Sequence, residues 1–237
     1  MKYIIMCGGD YEVSKPLIEI NGEKLIERTI RLLKDNGIND IAITTNSNNY
    51  DYLGVEIIHN ENKYKHNAYD LECTNSNYSW LNAYYKTNEP VCYLHGDVYF
   101  SEEAIKKIVE AKVEDTLFIC TCDGTDKKRN PKNVKGREPF GFKVNNQIVF
   151  QYAIKKIKQM VDEGKFKGHL TPISWHVYRF LNGLGVKPEA TEYTEINDIF
   201  KHKGDYLLID DITVDIDTKD DIERLNNILR SWLLSIL

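Results

Sequence analysis

The chain has 237 residues, 42% hydrophobic and 28% charged, which excludes a disordered, collagen-like or coiled-coil protein. Its net charge of −5 disfavours a nucleic-acid coat, because duplex binders carry a basic excess, so no nucleic-acid partner is expected. No run approaches the roughly 18 apolar residues of a spanning helix, and the opening Met1 to Cys7 stretch is too short for a secretory h-region. Five cysteines without a C-x-x-C pair suit a reduced compartment. A cytoplasmic protein with no membrane partner is expected.

The charge is unevenly spread. Lys127 to Lys143 holds seven Lys/Arg against Glu138, a local +6, and Asp205 to Asp221 holds seven Asp against Lys219, a local −6. A protein that handles both phosphates and a divalent cation has this pattern, and so do two solvated loops.

In chain order, Tyr3 to Met6 reads as a buried strand, Gly8-Gly9 as a loop, and Leu25, Ile26, Ile30 and Leu33 as one face of a helix stopped by Gly37. Further strands are expected at 41–44, 55–58, 91–94 and 117–120, and helices near 74–86, 102–111, 151–163, 173–182 and 219–236. The last helix opens on Thr218-Lys219-Asp220-Asp221, a capping-box-like start. Between Phe140 and Phe150, two alternating runs around Asn145-Asn146 predict a β-hairpin. The alternation of strands and helices predicts an α/β fold with a mostly parallel, mixed central sheet flanked by helices. The apolar end, Ile228 to Leu237, fits either packing on the sheet or a homodimer contact.

Three features carry candidate chemistry. Cys7-Gly8-Gly9 follows the first strand, where backbone N–H groups without an intervening Cβ can approach phosphate oxygens, and Lys15 lies just beyond. The spacing fits neither a dinucleotide fingerprint nor a P-loop. Asp97, in His95-Gly96-Asp97, falls past the carboxyl end of a strand, where open α/β sheets bind ligands. Asp215 and Asp217 in Val214-Asp215-Ile216-Asp217 share a face if that stretch is extended, and carboxylates together with substrate phosphates are how Mg²⁺ is commonly held. Taken singly, each also fits a turn or a cap.

The order glycine turn, lysine, strand-end Asp, late Asp pair resembles the nucleotidyltransferases of the GT-A-like, Rossmann-like α/β fold, which include sugar-nucleotide transferases and small-molecule cytidylyltransferases. Ser14-Lys15-Pro16-Leu17-Ile18 is similar to their lysine-proline stretch, and Asn75-Ser76-Asn77-Tyr78-Ser79 to a segment of phosphocholine cytidylyltransferase relatives. The resemblance implies a single domain over 1–237, with 1–123 and 205–237 as nucleotide and metal core and 124–204 as a hairpin and helical acceptor region. It implies catalytic Lys15, Asp97 and Asp217, with Mg²⁺ (Mn²⁺ as alternative) on Asp97, Asp215 and Asp217. It further implies nucleotide contacts from Cys7, Gly8, Gly9, Asn75, Asn77 and Ser79, and acceptor contacts from Lys135, Arg137, Glu138, His169 and Trp175. The implied partners are CTP and a phosphorylated small-molecule acceptor. One departure stands out: the family's glycine loop usually carries an Arg, and Asp10-Tyr11-Glu12-Val13 has none. That departure leaves open a nucleotide-binding protein without activity, and Asp215-Ile216-Asp217 formally leaves open a D-x-D glycosyltransferase.

Overall fold

The computed structural model describes residues 1–8, 14–60, 81–121, 138–166, 173–189 and 204–236. The first half runs β1 (Lys2–Met6), a 3₁₀ turn (Lys15–Leu17), β2 (Glu19–Ile20), β3 (Glu23–Lys24), α1 (Leu25–Asp35), β4 (Ile41–Thr45) and β5 (Glu56–His59). It continues with β6 (Val91–His95), β7 (Val98–Tyr99), α2 (Glu102–Glu110) and β8 (Thr116–Thr121). Then come β9 (Pro139–Val144), α3 (Gln147–Asp162), α4 (Ile173–Leu181), β10 (Tyr206–Ile209), β11 (Val214–Asp215) and α5 (Lys219–Ile236).

The main sheet has seven strands in the order β10-β8-β9-β6-β1-β4-β5. Its pairings are parallel except where β9 lies antiparallel between β6 and β8. This is the expected mixed α/β sheet. Alternation along β1 shows why it is buried on both faces: Ile4 and Met6 join one core, while Tyr3, Ile5 and Cys7 join the other. The first core is roofed by Phe150, Ile154 and Ile157 of α3 and by Trp175 and Tyr178 of α4. The second is roofed by Ile26, Ile30 and Leu33 of α1 and by Ile105 and Ile108 of α2. A small antiparallel pair, β7 with β11, packs with Leu225 and Leu229 of α5 in a third cluster. Among the described residues, no helix is long and apolar enough to cross a membrane.

The structure overturns the expected hairpin. Phe140 to Val144 is strand, but Asn146 caps a helix: its Oδ1 accepts the Val149 N–H at 3.3 Å. Phe150, Ala153, Ile154, Ile157 and Val161 then bury at helical spacing, so the 3.6-residue period prevails over the short alternating pattern. The expected 74–86 helix lies mostly outside the described residues, of which 81–83 are helical.

Lys143, counted above in the basic segment, points into the protein. Its ammonium donates to the carbonyls of Ile108, Val109 and Ala111 at 2.9, 3.0 and 2.7 Å, capping the carboxyl end of α2. It therefore serves the fold rather than an anionic substrate.

Candidate active site

The site forms at the carboxyl ends of β1 and β6, neighbours in the sheet. From β1 the chain passes Cys7 and Gly8 and returns at Ser14, and the 3₁₀ turn that follows starts with Lys15. From β6 it turns through Gly96 and Asp97 into β7. The two turns touch closely. The Gly96 N–H donates to Met6 O at 3.0 Å. A Cβ on Gly96 would sit 2.7 Å from both Cys7 Sγ and Met6 O and 3.1 Å from Pro16 Cγ, so only glycine fits this approach.

β11 brings the late aspartates to the same place. Its pairing with β7 sets Asp215 opposite Val98, and the Ile216 N–H donates to the Asp97 carbonyl at 2.9 Å. Ser101 and Asp211 brace the approach: Ser101 Oγ donates to Asp211 Oδ2 at 2.6 Å, and Asp211 Oδ1 accepts the Thr213 N–H at 2.7 Å. Beyond the strand, Asp221 Oδ2 accepts the N–H groups of Asp217 and Thr218, opening α5 as its Thr-x-x-Asp start predicts.

Lys15 is the centre of the arrangement. Its Nζ lies 2.5 Å from Asp217 Oδ1 and 3.8 Å from Asp97 Oδ2. Burial alone would lower its pKa, but Asp97, Asp217 and Asp215 outweigh that and hold the ammonium charged. Three carboxylates around one ammonium leave negative charge in excess. Accordingly burial, reinforced by Asp217 and only partly opposed by Lys15, raises the Asp97 carboxyl, and burial with Asp97, Asp217 and Glu138 raises that of Asp215 further. One oxygen of each, Asp97 Oδ1 and Asp215 Oδ1, is buried without a hydrogen-bond partner among the described residues.

These surplus charges and unpartnered oxygens fit a divalent cation, the ligand type that hard carboxylate oxygens accept. Among the described residues no three His, Cys, Asp or Glu side chains form a ready-made cage. Asp217 Oδ1 is turned to the Lys15 ammonium.

The structure thus brings together Cys7, Gly8, Lys15, Asp97, Asp215 and Asp217. Gly9, Asn75, Asn77, Ser79, Lys135, Arg137 and His169 lie outside the described residues. Glu138, expected to contact the acceptor, reaches the Asp215 strand instead, where its Oε2 accepts the Asp215 N–H at 3.1 Å. Trp175 is 1% exposed and packs edge-on against Phe118 at 4.9 Å, so packing accounts for it. Sequence reasoning missed β10, β7 and the β7/β11 pairing. Two-residue strands carry too little pattern to see, although Val98-Tyr99 directly after the strand-end Asp97 was a usable signal.

Comparison with known proteins gives first the class. Residues 6–177 match the MobA-like NTP transferase domain, and an enzyme built on that domain is a nucleotidyltransferase. The chain belongs to this family. Lys15 and Asp97 fall inside the matched span, whereas Asp215 and Asp217 reach the site from outside it. No curated protein sequence matches the chain. Among solved structures, a protein of Bacillus anthracis assigned as a glucose-1-phosphate thymidylyltransferase is 20% identical, with a TM-score of 0.55 over 97% of this chain and 95% of that one. A hypothetical transferase of Thermus thermophilus is 14% identical, with a TM-score of 0.52 over 94% of this chain and 100% of that one. These likenesses concern the fold.

Proposed function

We propose that the chain is a Mg²⁺-dependent cytidylyltransferase that moves CMP from CTP to a phosphorylated small molecule and releases pyrophosphate. The observation that carries this reading is Lys15, held between Asp97 and Asp217 beside two unpartnered carboxylate oxygens at the ends of β1 and β6. An ammonium and a cation-binding carboxylate group at one point suit a reaction whose main demand is charge neutralisation on phosphates.

An acceptor phosphate oxygen attacks the α-phosphorus of CTP, a new P–O bond forms, and the bond to the β-phosphate oxygen breaks. The acceptor phosphate has a second pKa of about 6, so it is already anionic near neutrality and needs no general base. That suits a site where no Ser-His-Asp or Cys-His arrangement is evident among the described residues. Lys15 offsets negative charge as the α-phosphorus becomes five-coordinate, and the backbone at Gly8-Gly9 approaches the phosphates. Asp97, Asp215 and Asp217 would hold Mg²⁺ (or Mn²⁺), which when bound neutralises phosphate charge. Asp217, whose Oδ1 holds the Lys15 ammonium, would serve both the lysine and that ion.

For the base, Asn75, Asn77 and Ser79 supply hydrogen-bonding groups for a pyrimidine edge. For the acceptor, Lys135, Arg137 and His169 supply cationic groups for a phosphate or α-carboxylate. The acceptor this reading favours is a phosphorylated L-glutamine, in the modification of a capsular polysaccharide, with phosphocholine and sugar 1-phosphates as alternatives. Pyrophosphate release from each of the four NTPs, crossed with glutamine phosphate, phosphocholine and sugar 1-phosphates, tests it. Release only with CTP and glutamine phosphate is expected. Release with another NTP, or only with another acceptor, would overturn the finer assignment.

A further inference from the structure

Tyr50 lies past the end of β4 and is fully buried in the core that also holds Cys7. Its hydroxyl hydrogen-bonds Ser14 Oγ. Cys7 follows the first strand, and its carbonyl accepts the Thr45 Oγ1 hydroxyl at 3.0 Å. Ser14 opens the turn that carries Lys15: its carbonyl accepts the Leu17 N–H at 2.9 Å, and the Lys15 carbonyl accepts the Ile18 N–H at 3.0 Å. On the other side of the turn, Pro16 is buried against Gly96. The turn is therefore clasped between the Tyr50 hydroxyl and the Gly96 backbone, and its lysine projects to Asp97 and Asp217.

We propose that Tyr50 is a positioning residue that fixes Lys15 through Ser14. Lys15 has a long side chain with several free torsions, so the place of its ammonium depends on how firmly the turn beneath it is held. The packing of the Tyr50 ring and the bond made by its hydroxyl are separable, because phenylalanine keeps the ring and removes only the bond. The proposal rests on the function argued above for its catalytic consequence alone, since the clasp itself is a property of the free protein.

Amide hydrogen exchange on the full chain without nucleotide tests it, with Tyr50→Phe, Ser14→Ala and the double variant. Exchange at Leu17 and Ile18 should rise about fivefold in each single variant, the factor lost with one hydrogen bond. It should rise no further in the double variant, while the β4 amides at 41–45 stay protected. Unchanged exchange at Leu17 and Ile18, a double variant that adds the two effects, or equal acceleration across β4 would overturn the proposal. Ser14→Ala carries the same test without altering the core. In pyrophosphate release from CTP, Tyr50→Phe should lower kcat with little change in KM for the acceptor, and should cost nothing further in a Lys15→Met background. Failure of the native protein to release pyrophosphate would refute the proposed function and leave the exchange result standing.

Discussion

Lys15 and Asp217 are 202 positions apart in sequence, yet the lysine ammonium lies 2.5 Å from the aspartate Oδ1. The contact closes the site, because it joins the turn after β1 to the segment after β11, and Asp97 sits between them on the turn after β6. Asp217 is largely exposed, so its ion pair adds little to stability. Its weight in the proposed function is catalytic. Replacement of Lys15 by Met should lower turnover about 100- to 1,000-fold, the range seen when one preorganised electrostatic group is removed, with the fold retained by circular dichroism.

Metal binding should depend on pH. The Asp97 and Asp215 carboxyls are raised above their ordinary values, so the folded protein keeps protons that the unfolded chain gives up. The sign follows: stability from these groups is fullest in acid and is lost as pH rises through the folded values, and a bound cation restores it. The Mg²⁺-induced rise in Tm should therefore be larger at about pH 8 than at about pH 5. Asp215→Asn should shrink that difference. Differential scanning fluorimetry reads both.

Gly96→Ala should be more damaging than a surface glycine substitution. Its new methyl group meets Cys7 Sγ and Met6 O at 2.7 Å, so β1 and the Asp97 turn must part. A cost of about 1–3 kcal/mol is expected, as for overpacking elsewhere. Chemical denaturation measures the loss, and activity should fall with it because Asp97 moves.

Lys143→Met separates the structural cations from those proposed for substrate. Three carbonyls at the end of α2 lose their donor, costing about 1–3 kcal/mol in denaturant titration. The KM for CTP and for the acceptor should not change.

His176 should make the protein acid-sensitive. The ring is buried, with neither nitrogen hydrogen-bonded among the described residues, and lies edge-on to Phe166. Burial, helped by the positive charge of Arg179, lowers its pKa to about 4. A histidine with a depressed pKa costs no stability above the ordinary value near 6.5, and costs progressively more as pH falls from about 6.5 to about 4. The full cost is about 3 kcal/mol. A His176→Phe variant should show a flatter Tm profile across that window.

Much of this was legible in the sequence because it rests on local pattern. Strands β1, β4, β5, β6 and β8 and helices α1, α2, α4 and α5 follow from apolar runs and helical spacing, and the strand-end Asp97 from the run before it. The reading failed at Asn146, where three apolar residues after the turn, Ile148 to Phe150, looked like a returning strand until the cap and the deeper face of α3 settled the period. Charge counting failed in a different way. Of the acidic segment, Asp211 and Asp221 accept backbone N–H groups, and only Asp215 and Asp217 reach the site. Local charge density cannot distinguish a cap from a ligand, because both use the same carboxylate.

The most direct test of the account is Mg²⁺-dependent pyrophosphate release from CTP by the native chain and by Asp97→Ala and Asp217→Ala, with glutamine phosphate as acceptor and folding checked by circular dichroism. Release by the native protein, and its loss in both variants with the fold intact, is expected. Undiminished release in the two folded variants would contradict it.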